Sequence, residues 1–524
     1  MFQLFKNYLL AATLVGCASC DNYLDINENP NLATSASASL VLPQAITASA
    51  TVANAFNSYG GHFGGYVANA GGFSGFGNLF NYQLVPGDYN LMWMNTYDNL
   101  QDYQYVIEQT AGIDELAYAN AAATIMTALS YQRLVDAFND IPYSEALKNN
   151  GNLTPKYDNA ASIYQDLISK LDGAIAVITN AKYPKNLNAS SDPLFGGNMT
   201  KWKQFANTLK LRMLIRISSV PALADFSQKG LKSMDMSIGF ISDDAIVNPG
   251  YVKDKPTPLW NSWAYSIVGT LSNSSRTATK FAFAFYKGQK LTDNGRGGVI
   301  YKNFETNTPV NQLGNEVDAP TVITNYPTWY TGTFGSASSI SNSLGIMKGP
   351  SQGQPLMLLA ESHFLQAEAR LKGFLTGDPA ESFNEGIKAS FRFLYKEVTN
   401  AVAVTNDVNA DVETYKKDNP DSYLVNISLA KTTAEKLEAI ITQKYIALNM
   451  INSDEAWNEF RRTGYPASDP KGDAYHNISS LLSSSTRPDK LPSRILYPSS
   501  EQSYNATNYK SVNQFSDLIF WDPN

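Results

Sequence analysis

Between Leu91 and Gln109 the residues Trp93, Tyr97, Leu100, Tyr103 and Ile107 fall at spacings of three and four. That period puts them on one face of an α-helix, and so apolar a face must be covered by another element. Comparable helical patterns return in Ala117–Asn139, Ala160–Thr179, Met199–Ser218, Leu356–Phe374, Ala380–Lys396, Thr433–Met450 and Asp454–Arg462. Met199–Ser218 is apolar on more than one side, which predicts a helix buried within the stack. A mainly α fold follows, with eight helices in four consecutive pairs of tetratricopeptide size, although the strict tetratricopeptide consensus is missing. A chain of 524 residues is long for one core, so two or three closely packed subregions are expected.

Two stretches break this rhythm. Tyr59–Gly77 is rich in Gly, and Leu223–Pro355 mixes Gly, Pro, Ser, Asn and Trp with little period. Both read as long loops with minor β or helical pieces, and such loops in a compact domain usually carry function. The net charge of −7, a pI near 5.2 and only 17% charged residues argue against a basic nucleic-acid footprint. Past Gly16 no apolar run reaches bilayer-spanning length. With 30 Tyr, 25 Phe and 7 Trp the chain has rings enough for a large core and for stacking on sugars or peptides.

The only two cysteines, Cys17 and Cys20, stand behind a basic start at Lys6 and the apolar run Tyr8–Gly16. They lie too close together for a useful disulfide, and C-x-x-C alone supplies half a zinc shell. His62, His363 and His476 are scattered far from them. The segment has the form of a secretory signal, and Leu14-Val15-Gly16-Cys17 fits a lipoprotein lipobox, with Ala18-Ser19-Cys20 as a second candidate. One of the two thiols would then carry the lipid that anchors an exported body.

Local signatures of chemistry are missing. Asp25-x-Asn27-x-Asn29 begins like an EF-hand loop, but Pro30 and Ala36 stand where Gly and the bidentate Glu belong. No H-E-x-x-H occurs, and the Gly cluster at 60–77 has no phosphate-loop Lys. One acidic pair needs weighing. Glu361 and Glu368 lie on one predicted helix with Cα atoms about 10 Å apart, so their carboxyl groups would approach the inverting-glycosidase separation of about 6.5–9.5 Å. The competing reading pairs them with arginines of a neighbouring helix, such as Arg212 and Arg216.

A resemblance rests on longer motifs. They begin with Cys20-Asp21-Asn22-Tyr23-Leu24-Asp25-Ile26-Asn27 and Asn29-Pro30-Asn31. Next come Tyr131-Gln132-x-Leu134-Val135-Asp136-x-Phe138-x-Asp140-Ile141-Pro142-Tyr143 and Asp192-Pro193-Leu194-Phe195-Gly196-Gly197. Lys201-Trp202-x-x-Phe205-Ala206-Asn207-x-Leu209-Lys210-x-Arg212, Ala367-Glu368-Ala369 and Gln443-Lys444-Tyr445-Ile446-Ala447-Leu448 follow. The last are Glu455-Ala456-Trp457-x-Glu459-x-Arg461-Arg462-Thr463-Gly464-Tyr465-Pro466 and Pro492-x-Arg494-x-x-Tyr497-Pro498. In order and spacing this set resembles the SusD/RagB family of outer-membrane nutrient-binding lipoproteins, most of all its SusD-like branch.

The resemblance implies eight helices in four tetratricopeptide-like pairs with a loop-rich face. It implies a lipoprotein that lies as a lid on a SusC-like TonB-dependent outer-membrane transporter, facing the outside. Such a lid captures an oligosaccharide, or in some members a peptide, and performs no chemistry; no catalytic residue, cofactor or metal is expected. Residues 1–20 would be signal and anchor, and 21–524 the body. Within it, 91–222 would hold the first two pairs, 223–355 the ligand-face insertion, and 356–524 the last two pairs and the C-terminal segment. In the family, ligand meets the loop before the first helix pair and the middle insertion. The candidates are therefore Phe73, Phe76, Phe80 and Tyr82 in the first, and Trp260, Trp263, Trp329 and Tyr330 in the second. Each ring also has a packing reading. Two other classes stay open: an exported glycoside hydrolase on a helical scaffold, and a helical-repeat scaffold that binds protein on its concave face.

Overall fold

The computed structural model describes residues 37–70, 76–306, 312–313, 328–334 and 340–523. In chain order its helices are α1 (Ala38–Phe63), α2 (Asn90–Thr110), α3 (Ala117–Phe138), α4 (Ala160–Asn180), α5 (Met199–Ile217), α6 (Ala224–Lys232), α7 (Pro258–Trp263) and α8 (Lys280–Phe283). Then follow α9 (Asn294–Ile300), α10 (Leu359–Leu371), α11 (Pro379–Tyr395), α12 (Val408–Asp418), α13 (Thr433–Leu448), α14 (Ser453–Thr463) and α15 (Ser499–Tyr504). The helices expected from periodicity are α2 to α5, α10, α11, α13 and α14, with ends within three residues of the expected limits. The expected count of eight is too low, because fifteen helices are present among the described residues.

The longest addition is α1, whose last turn takes in the first glycines of the stretch read as a loop. Gly60 is there for close approach. A Cβ on it would meet the backbone nitrogen of Asp454 at 2.1 Å, so α1 and the start of α14 pack backbone against backbone.

Local chemistry sets several helix ends. The Asn159 and Asn198 side chains accept from the N–H groups of Ser162 and Lys201, and Thr432 with Glu435 forms a reciprocal capping box before α13. Gly464, at φ +77°, closes α14. Helices α2 and α3, α4 and α5, α10 and α11, and α13 and α14 pack as neighbours. Helix α1 packs on both α2 and α14, tying the first pairs to the last.

Helix α5 is buried, as its pattern predicts, and carries Arg212 and Arg216 into a network of charge. Arg216 Nη1 donates to Asp136 Oδ2 at 2.5 Å, while Nη2 reaches Glu455 and, at 3.3 Å, Glu459. Arg212 donates to Gln132 at 2.7 Å and to Glu361 at 3.3 Å. Lys444 lies 3.6 Å from both Glu361 and Glu459. Glu368 takes both arms of Arg462, at 2.8 and 2.7 Å, and Lys372 at 2.8 Å. Five cations thus face five carboxylates, drawn from α3, α5, α10, α13 and α14 with Lys372 at the α10 C-terminus. Removing these charges from water is tolerable only because each is paired.

Strands are short. β1 (Val67–Asn69) pairs with β5 (Arg276–Ala278), β2 (Ile141–Pro142) with β3 (Tyr157–Asp158), β4 (Ala245–Val247) with β8 (Gln354–Met357), and β6 (Thr333–Phe334) with β7 (Ile340–Ser341). All four pairs are antiparallel. The β1–β5 pair stitches the middle insertion to the segment after α1. No described helix is long and apolar enough to cross a membrane.

Candidate functional site

The β1–β5 pairing brings the two irregular stretches together, with Asn69 opposite Arg276. The Arg276 guanidinium lies over the Trp263 ring, 4.6 Å from its centroid. Trp263 in turn meets Trp329 nearly edge-on at 5.7 Å. On the other side His62, in the last turn of α1, sits edge-to-face with Phe76 at 5.5 Å, and Phe76 packs on Phe80 at 5.7 Å. Burial first, and then the positive charge of Arg276, push the His62 pKa down to about 4. Arg276 therefore links one group of rings, Phe80, Phe76 and His62, to another, Trp263 and Trp329. Beside them opens a cleft of about 380 Å³ lined by Ser58, Tyr59, His62, Leu79 and Tyr89.

The rings named from sequence divide by exposure. Tyr330 stands 43% exposed, and Phe76 and Phe80 are half-buried. Phe73, like Cys17 and Cys20, lies outside the described residues. Four candidates need correcting, since Tyr82, Trp260, Trp263 and Trp329 are at most 1% exposed and turn no open ring face outward. Tyr82 Oη accepts from the Ser480 N–H at 2.9 Å, and Trp260 packs on Tyr265 at 5.9 Å. The physical reason is that the insertion is no open loop. Helix α7 touches α1, and Trp329 bridges to Tyr301 just after α9, so the largest rings find cover.

What sequence reasoning missed is polar. Arg276 Nε has no hydrogen-bond partner, and Nη1 reaches only the carbonyls of Ser262 and Ser272, at 3.5 and 3.4 Å. Asn54 donates from Nδ2 to Ser262 Oγ at 2.9 Å, but the protein gives its Oδ1 no partner. Both amide atoms of the fully buried Asn273, His62 Nε2 and the indole N–H groups of Trp263 and Trp329 are likewise unmatched. These atoms are closed to solvent, whereas the Arg276 side chain they surround is partly exposed. No pattern flagged His62 or Arg276, because both stand in aperiodic sequence.

The two scaffold carboxylates weighed from sequence are buried and paired. Glu361 and Glu368, weighed as a catalytic pair, are 0% and 1% exposed and held by cations. Glu361 pairs with Arg212, as the competing reading expects, whereas Glu368 takes Arg462 in place of Arg216. A second cleft of about 620 Å³ is lined by residues of α2, α3 and α4 with Tyr143 and Lys148. Several of its polar groups already serve one another, Tyr143 with Asp166 and Ser144 with Asp158.

Comparison with known proteins agrees with this architecture. A SusD-like family model, described as "Starch-binding associating with outer membrane", matches residues 30–498. The chain belongs to the SusD-like family. SusD-like proteins are binding proteins associated with the outer membrane. A SusD homologue from Bacteroides uniformis is 25% identical, over 92% of this chain and 99% of its own, with a TM-score of 0.67. Another from Bacteroides fragilis is 18% identical over 92% and 99%, with a TM-score of 0.70. A chitin-binding SusD homologue from Flavobacterium johnsoniae is 20% identical over 92% and 99%, with a TM-score of 0.66. No curated protein matches the chain. In this SusD-like chain the motifs that carry the family likeness fall largely on the buried charge network, while the Arg276 face lies apart from them.

Proposed function

We propose that this SusD-like protein captures an oligosaccharide on the face around Arg276 and passes it to a SusC-like TonB-dependent outer-membrane transporter. A peptide is the second ligand of the same reading. The observation that carries the proposal is the meeting of half-buried rings and unmatched polar groups where β1 and β5 pair. Capture for delivery has to be reversible, and stacking with hydrogen bonds supplies that without covalent chemistry. Phe76, Phe80 and Tyr330 offer ring surface, and the partly exposed Arg276 offers hydrogen-bond donors. The starch-binding description of the family and the chitin-binding relative favour a sugar ligand over a peptide. The protein acts as a binder and not as a hydrolase, tethered by lipid on Cys17 or Cys20 with this face outward.

Calorimetric titration with purified oligosaccharides and peptides tests the reading. Saturable binding to an oligosaccharide is expected, weakened about fivefold by Phe76→Ala, as one stacked ring is worth roughly 1 kcal/mol. Mild-detergent extraction of the native outer membrane should co-isolate a β-barrel transporter. Binding of peptides alone overturns the sugar reading, and turnover of a bound glycan overturns the whole.

A further inference from the structure

Arg276 is an arginine set up without a counter-charge. Among the described residues no carboxylate oxygen lies within 4 Å of it, its Nε is unmatched, and its side chain makes two long contacts to backbone carbonyls. Trp263 covers one face of the guanidinium plane, which orients the fork while leaving N–H groups along its edge unused. The neutral groups around it, Asn273, Asn54 Oδ1 and the Trp263 indole N–H, are closed to solvent, so the open part of this cluster is the Arg276 side chain. A sugar hydroxyl would satisfy one N–H of this fork but leave its charge uncompensated in a largely buried site. A carboxylate matches the fork in shape and in charge.

We infer that the ligand is an acidic oligosaccharide, and that Arg276 binds the carboxylate of one uronic-acid residue while the half-buried rings of Phe76 and Phe80 take its C–H face. The half-buried rings fit a sugar ring attached to the carboxylate, which a bare carboxylate does not need. The inference rests on the proposed capture of an oligosaccharide and assigns its chemical class.

The test titrates the full-length soluble body with oligomers of galacturonate, of mannuronate and of alternating glucuronate, each alongside its methyl ester. Neutral malto- and chito-oligosaccharides, and a peptide with a free or an amidated C-terminus, complete the panel. One acidic oligomer should bind, and its methyl ester, which keeps every hydroxyl and loses the charge, should bind about thirtyfold more weakly. Arg276→Gln should reproduce that loss with an unchanged or raised melting temperature. Arg276→Lys, which keeps the charge but not the fork, should recover only part of it. If a neutral oligosaccharide alone binds, and Arg276→Gln leaves its affinity intact, nutrient capture stands and the acidic class fails. Binding of the free-carboxylate peptide with no acidic glycan overturns the sugar assignment. Failure of every acidic oligomer to bind overturns the inference outright.

Discussion

Arg216 and Arg276 both lie over a tryptophan ring, Trp521 at 5.6 Å and Trp263 at 4.6 Å, yet they live in opposite surroundings. Burial works against the charge of each. For Arg216 the carboxylates of Asp136, Glu455 and Glu459 outweigh burial and hold its pKa well above the ordinary value. For Arg276 nothing outweighs burial, and its pKa falls below the ordinary value. Arg216 is closed on three carboxylates within the fold, whereas Arg276 meets none among the described residues. A charge paired within the fold is structure; a charge left unpaired at a face is available to a ligand.

The comparison breaks most forcefully at Arg216. Arg216→Ala leaves Asp136 with hydrogen bonds from Gln132, Tyr164 and Trp521 but with no cation. A loss of about 3–5 kcal/mol is expected, read as a large drop in denaturation midpoint. A loss near zero would mean that the network is not what holds the helix pairs together. Trp329→Ala comes next. Its ring is 1% exposed, so about 3 kcal/mol of stability should go with it. If the melt were unchanged while affinity fell, Trp329 would return to the ligand face.

Acid separates His62 from Glu455 by window. His62, on the insertion face, has its folded pKa depressed to about 4, so stability falls as pH drops from about 6.5 toward 4, by about 3 kcal/mol in all. Glu455, in the scaffold, is held at about 2 because its cations, Arg212 and Arg216 foremost, outweigh burial. Its contribution, again on the order of 3 kcal/mol, is intact above about pH 4.5 and lost as pH falls through 2. Asp454, raised to about 6 mainly by burial, works the other way, losing stability as pH rises from about 4 to 6. Melting curves for His62→Gln should therefore diverge from the parent between pH 6.5 and 4, and those for Glu455→Gln should change slope below 4.5. Divergence of both variants in one shared window would contradict this separation of the two groups. The smallest effect belongs to Tyr330→Ala, which should leave stability within about 0.5 kcal/mol because its ring is 43% exposed. Any effect it has should appear in ligand affinity.

Legibility followed the same division. Helices α2 to α5, α10, α11, α13 and α14 could be read because burial of one helix face leaves a local period. Helix α1 could not: Pro43 stands within it, and its final turn contains Gly60 and Gly61, residues that usually signal a break. Only contact with Asp454, almost four hundred positions along the chain, explains Gly60. At the candidate face the aromatic content of the insertion was visible, but the direction of each ring was not. Trp329 and Tyr330 are neighbours in sequence, and one is buried while the other is exposed.

By itself the sequence determined the helical class, the pairing of successive helices and the family likeness, since periodicity and ordered motifs are properties of the chain read in one dimension. Tertiary structure decided which charges are satisfied. Arg212, Arg216 and Arg276 are the same residue type in the sequence, and only the fold brings Glu361 and Glu455 to the first two while setting Trp263, Ser262 and His62 around the third. Asn54 and Ser262 meet across 208 residues, and Asn69 pairs with Arg276 over a comparable span. The energy of a charge depends on the partners and solvent around it in three dimensions, and no local pattern encodes that.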